Sequence, residues 1–162
     1  MKLGIGCDHA GFPLKQEIID LAASLGHTVE DFGTYSTEPA DYPVYARKVA
    51  EAVISGRCDR GIVLCGSGVG ASVAVSKVPG ARGAMCHDTF SARQGVEDDD
   101  MNVMCLGARV IGPLLAIECV RAFLGARFSG AERHVRRLAE VRAIEEDARR
   151  GVFDAKREGG RS

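Results

Sequence analysis

The run Leu64-Cys65-Gly66-Ser67-Gly68-Val69-Gly70 sets a thiol at the head of a loop with three glycines in five residues. Glycines let a backbone turn tightly and approach a ligand closely, and a helix starting there directs free N–H groups outward. The segment reads as an anion cradle. The same amides and the helix dipole favour a thiolate at Cys65, which can then serve as base or nucleophile. The glycine-rich amides can also stabilise an oxyanion developing on a bound carbonyl. A dinucleotide fingerprint would follow the first strand as G-x-G-x-x-G, with an acid about 20 positions on. Here the spacing is G-x-G-x-G, and no Gly-Lys-Ser/Thr ends it as in a nucleotide-triphosphate loop.

Other candidates lie in four places. Asp8 and His9 stand side by side in Gly6-Cys7-Asp8-His9-Ala10-Gly11. Asp8 is either a cap for a following helix or a site residue, and His9 can donate to a phosphate or relay a proton. Cys86-His87-Asp88 is either loop polarity or a wall of a site, with loop polarity favoured. Glu97-Asp98-Asp99-Asp100 has the density of a metal site, but four consecutive acids cannot all face one ion, so a loop offering one or two of them to a pocket is expected. Arg109 belongs to the same rim. Arg133 and Arg137 stand one helical turn apart, a spacing that suits either a phosphate or a solvated basic face.

These residues need strand ends to hold them. Short apolar runs at 2–6, 28–32, 61–64, 81–85 and 103–106 read as strands covered on both faces. Helical patterns begin at Pro13, Pro43, Val69, Thr89 and Pro113, several with a proline suited to the first turn. Five βα units in succession predict one α/β domain, a three-layer α/β/α Rossmann-like fold with a five-stranded parallel sheet. Ligands of such sheets bind beyond the carboxyl ends of the strands, where the candidates fall. A long C-terminal helix over 131–149 carries Val135, Leu138, Val141 and Ile144 as an apolar stripe between arginines. The domain is expected to span 1–150, with 151–162 a polar, disordered tail.

Composition narrows the class. The chain has 162 residues, 46% hydrophobic and 27% charged, with a formal charge of −1. That is globular, with no general attraction to nucleic acid or anionic membrane. Six cysteines without a CxxC pair, and an opening too short for an export signal, predict reduced thiols in the cytoplasm, without a zinc ribbon or disulfide framework.

Taken together, the motifs at 6–11, Asp41-Tyr42-Pro43, 64–70, Asn102-Val103, Gly107-Ala-Arg-Val-Ile-Gly112 and Arg133-x-x-x-Arg137 resemble the type B ribose-5-phosphate isomerases, whose relatives include galactose-6-phosphate isomerase subunits. The resemblance covers about residues 1–149. It implies an aldose–ketose isomerase of a small sugar phosphate, assembled as a homodimer or dimer of dimers, with no metal or organic cofactor. By resemblance, Cys65 moves the proton between C1 and C2, while Ser67 and the amides of Gly66, Gly68, Val69 and Gly70 hold the enediolate oxygens. Asp8 and His9 contact the sugar. Arg109, Arg133 and Arg137 bind the phosphate with His9, some of them from a neighbouring subunit.

One departure stands out. Many members carry a histidine in the acidic loop as the acid that opens the sugar ring, and alignment back from Asn102 puts Asp98 there, with Asp99 in the next, substrate-contacting position. Asp98 can be that acid only with a raised pKa; otherwise the substrate needs no ring opening, as with a tetrose phosphate. Two further readings remain open, a sugar-phosphate-binding protein that has lost catalysis and a thiol hydrolase or transferase with Cys65 as nucleophile.

Overall fold

The computed structural model describes residues 1–153. Five parallel strands form one sheet: β1 (Lys2–Cys7), β2 (Thr28–Asp31), β3 (Arg60–Cys65), β4 (Gly83–Met85) and β5 (Val103–Gly107), in the order β2-β1-β3-β5-β4. The helices are α1 (Phe12–Ser24), α2 (Tyr42–Ile54), α3 (Val69–Val75), α4 (Thr89–Asp99), α5 (Pro113–Gly125) and α6 (Glu132–Arg149). The α/β class, five-stranded parallel sheet and long last helix expected from the sequence are all present.

Strand alternation explains the three layers. On the central strands Ile62 and Leu64, with Met104 and Leu106, face one side, where Leu14 and Ile18 of α1, Ala92 and Val96 of α4, and Val120 and Phe123 of α5 cover them. Their neighbours Val63 and Cys65, with Val103 and Cys105, face the other side and meet Ala46, Val49 and Val53 of α2 and Ala71 and Val75 of α3. Residues two apart share a face and adjacent ones do not, so a near-continuous apolar run serves both layers. The pair β3 and β5 is the centre of the core. Phe123 is fully buried, and truncating such a side chain costs about 3–5 kcal/mol.

The order β2-β1-β3 means that the chain leaves β1 in one direction across the sheet and returns to build β3 on its other side. That reversal opens a crevice at the carboxyl ends of β1 and β3. The opposite, amino edge is closed by polar contacts. Arg60, at the start of β3, donates to the carbonyls of Phe123 and Ala126 at the end of α5. Arg82, just ahead of β4, donates to the Asp100 carbonyl and pairs with its carboxylate at 2.6 Å.

The acidic run departs from expectation. In place of a loop, α4 continues through Asp99 and ends where Asp100 adopts φ 50°, a left-handed conformation. Acids are unfavourable beside the negative end of a helix dipole. Burial of Ala92 and Val96, and the Arg82–Asp100 pair, outweigh that local preference.

The chain divides into two compact units, Met1–Phe128 and one that begins at Ser129 and holds α6. In the second unit the Ser129 hydroxyl meets Nδ1 of buried His134 at 2.7 Å. Of the apolar stripe on α6, Leu138 is buried, while Val135, Val141 and Ile144 are exposed. Of the expected tail, residues 154–162 lie outside the described residues.

Candidate active site

At the carboxyl end of β1, Asp8 is buried and its Oδ1 accepts the amides of Ala10 at 2.9 Å and Gly11 at 2.8 Å. Asp8 therefore shapes the turn into α1 without capping the helix itself, whose first flanking residue is Gly11. The turn presents His9 at the rim. His9 Nδ1 lies 3.1 Å from the Ala40 amide and 3.2 Å from the Ala40 carbonyl, both on the connection from β2 to α2.

Cys65 is the last residue of β3 and is 3% exposed. Its Sγ accepts the Gly68 N–H at 3.0 Å. Gly68 has φ 80°, which L side chains rarely adopt, and this conformation turns the amide back onto the sulphur before α3 begins. Ser67 is exposed beside it, its hydroxyl accepting the Val69 N–H at 3.3 Å. The loop thus offers a sulphur at its floor and a hydroxyl at its lip. Gly70 lies against Tyr42, where a side chain at position 70 would meet the Tyr42 ring within 2.7 Å.

The end of β5 locks this loop in place. Ala108 N–H donates to the Cys65 carbonyl at 2.9 Å and Arg109 N–H to the Gly66 carbonyl at 3.0 Å. The Arg109 side chain then lies over Gly66. Beside it, His9, Ala10, Thr37, Arg109 and Ile111 line a cavity of about 400 Å³ that is closed by Pro13, Leu14, Ala108 and Pro113. An imidazole, a guanidinium and a threonine in one recess suit a phosphate or polyol.

His87, favoured as loop polarity by the sequence reading, has a defined contact: its Nε2 accepts the Gly107 N–H at 2.9 Å. As an acceptor there, the ring carries its proton on Nδ1 when neutral. Asp88 caps α4 by accepting the Ser91 N–H at 2.7 Å, and the Ser91 donors hold its carboxyl below the usual carboxylate range. His9 and His87, the two imidazoles that could have paired with Cys65, each commit a ring nitrogen to a backbone partner, and the sulphur receives a backbone amide.

The other thiols on this side are unsuited to the task. Burial pushes the Cys7 and Cys86 thiols up to about 11, and drives that of Cys105 higher still. They stay protonated at neutral pH. Among the described residues, no group of three or more His, Cys, Asp or Glu side chains could hold a metal ion. No helix among them is long and apolar enough to cross a membrane.

Asp8, His9, the loop 65–70 and Arg109 are thus brought to one edge. Asp98 and Asp99 are not. Both close α4 at the amino edge of the sheet, next to Asp100, and the half-buried Asp98 accepts from Gln94 Nε2 at 2.8 Å. Arg133 and Arg137 are exposed on α6, in the second unit. Thr37 and Lys15 were not singled out from the sequence. Thr37 sits in an irregular exposed stretch without a motif, and Lys15 looked like an ordinary polar position on α1.

Residues 3–141 match the family described as Ribose/Galactose Isomerase. The chain belongs to the ribose/galactose isomerase family. Membership carries the enzyme class, an aldose–ketose isomerase. Ribose-5-phosphate isomerase B of Escherichia coli is 45% identical over 145 residues, covering 90% of this chain and 97% of that protein. D-erythrulose-4-phosphate isomerase of Pectobacterium atrosepticum is 43% identical over 131 residues, covering 80% and 86%. The structure of Clostridium thermocellum ribose-5-phosphate isomerase B superimposes with a TM-score of 0.89 at 49% identity, covering 91% of this chain and 99% of that one. The ribose/galactose isomerase fold is therefore shared over nearly the whole first unit and into α6.

Proposed function

We propose that this chain interconverts a small aldose phosphate and its ketose through an enediolate, without a cofactor, and that ribose 5-phosphate is its main substrate. The observation that carries the reading is the Cys65 sulphur under the Gly68 amide, at the edge where His9, Ser67 and Arg109 converge. Cys65 as thiolate removes the C2 proton, and the electron pair shifts to the C1 carbonyl oxygen. The Ser67 hydroxyl proton and the amides of Gly66 and Gly70 hold the enediolate oxygens, and the Gly68 and Val69 N–H groups turn to them from Cys65 Sγ and Ser67 Oγ as charge develops. Transfer of the O2 proton to O1, with return of the abstracted proton to C1, yields the ketose. Asp8 fixes the turn that presents His9, and His9 and Arg109 bind the substrate, Arg109 at the phosphate. The identity to the E. coli enzyme supports the five-carbon substrate.

Arg133 and Arg137 complete the phosphate site from a second copy, in a cytoplasmic homodimer or dimer of dimers. Asp98 and Asp99 can serve the reaction in the same way only, because within one copy they close α4 at the edge opposite Cys65. Asp98 also motivates a second reading. A four-carbon aldose phosphate is already open and needs no ring-opening acid, and a relative of this size bears the name D-erythrulose-4-phosphate isomerase.

The test is ketose formation from a panel of four-, five- and six-carbon aldose phosphates, with wild type and Asp98→His. Ribose 5-phosphate should give the highest kcat/KM. If the four-carbon substrate wins, and Asp98→His improves turnover of ribose 5-phosphate alone, the second reading holds. No turnover on any member, with binding retained, would leave a sugar-phosphate-binding protein.

A further inference from the structure

Lys15 is one of very few charged side chains in the core, 3% exposed on the first turn of α1. An ammonium taken out of water needs compensation on every side. Lys15 has it: Nζ lies 2.7 Å from Asp31 Oδ2 and 2.6 Å from the Thr34 carbonyl, and sits 4.4 Å from the Tyr35 ring centre and 5.5 Å from that of Phe12. All but Phe12 belong to one stretch, 31–35, which leaves β2. Asp31 tightens that stretch further, because its Oδ1 accepts the Gly33 N–H at 2.8 Å and its carbonyl accepts the Tyr35 hydroxyl at 3.0 Å. The segment is wrapped around the ammonium.

Past this wrap the chain runs to the candidate site. Residues 34–41 contain no helix or strand, yet they carry Thr37 into the cavity wall and Ala40 onto His9 Nδ1. Lys15 itself stands on the helix that begins just after His9. The ammonium therefore ties together the two elements between which the imidazole is held.

We propose that Lys15 is a positioning residue, which fixes the 34–40 connection against α1 and thereby sets the orientation and ring tautomer of His9. Its role in turnover rests on the isomerase reading above; its role in holding His9 does not. A charge buried only to stabilise the fold could be replaced by an apolar side chain at little cost, as buried pairs often can. A charge that shapes a functional loop cannot.

The variants are Lys15→Met and the double Lys15→Met/Asp31→Asn, which leaves no unpaired charge. Imidazole nitrogen shifts of His9 in labelled protein report the tautomer populations, and steady-state assays on the best aldose phosphate report KM and kcat. The His9 tautomer ratio should change in both variants, with kcat/KM falling at least about tenfold, mainly through KM, as expected for a misplaced binding group. Lowered thermal stability with an unchanged His9 spectrum and kcat/KM within about twofold of wild type would overturn the proposal. A changed His9 spectrum in a protein inactive on every substrate, wild type included, would sink the isomerase reading and leave the positioning role standing. Should both variants fail to fold, Asp31→Asn removes the carboxylate charge from the pair while keeping its shape and the Thr34 carbonyl contact. An unaltered His9 spectrum there would also refute it.

Discussion

Gly107→Ala isolates the contact between the end of β5 and the cysteine loop 65–70. A methyl group at position 107 would meet the Ser67 carbonyl carbon and oxygen at 2.5 Å and its Cα at 2.8 Å. Carbon contacts settle near about 3.5–4.0 Å, so something must move by about 1 Å. Gly107 is not free to yield. It pairs with Cys65 in the sheet and donates its N–H to His87. Ser67 must yield instead, and with it the turn that sets the Gly68 amide on the sulphur. Overpacking of this kind costs about 1–3 kcal/mol, and each kcal/mol lowers Tm by about 2–4 °C in a chain of this size. A displacement of about 1 Å at a reacting group can cost about a hundredfold in rate. Calorimetry should therefore show Tm lower by about 2–12 °C, with kcat down by about two orders of magnitude. Gly125→Ala, at the end of α5 with nothing within 4 Å, is the matched control and should leave kcat within error and Tm unchanged or slightly raised, because alanine favours the helix. If Gly107→Ala turned over at the wild-type rate, the loop would not need its present position for catalysis.

Alkylation of native protein with iodoacetamide at about pH 8 should label Cys65 before Cys7 or Cys86, whose burial raises their thiols to about 11; earlier labelling of either would refute the distinction, as read by peptide mass spectrometry. Mixed assemblies of Cys65→Ala and Arg137→Ala subunits, each inactive or weakened alone, should regain activity if Arg137 serves a neighbouring copy, whereas no recovery would put Arg137 in its own copy's site or outside the pocket.

The fold was legible because β3 after Arg60 and all of β5 are runs without polar side chains and the helices announce themselves with proline at Pro13, Pro43 and Pro113. The edge strand was less so. The run 81–85 shortens to Gly83–Met85, since the Arg82 amide goes to the Asn102 side chain in place of a strand partner. The cysteine loop, Asp8, His9 and Arg109 could be read because each follows directly on a strand end. The acidic run could not, because its location depends on how far α4 continues, and buried Ala92 and Val96 decide that against the local charge preference. Lys15 escaped for the opposite reason: at helical spacing it matches a solvated position, and only the fold shows that the stretch leaving β2 closes over it. Arg133 and Arg137 were legible only as a pair one helical turn apart, a spacing that fits either a phosphate or a solvated basic face.

The most direct measurement is deuterium incorporation at C2 of ribose 5-phosphate in heavy water, with wild type and Cys65→Ala compared at matched occupancy. Wild type should exchange the C2 proton, and Cys65→Ala should bind the sugar phosphate with similar affinity while exchange falls by more than about a hundredfold, the scale for loss of a positioned base. Exchange by Cys65→Ala at close to the wild-type rate would remove Cys65 as the base.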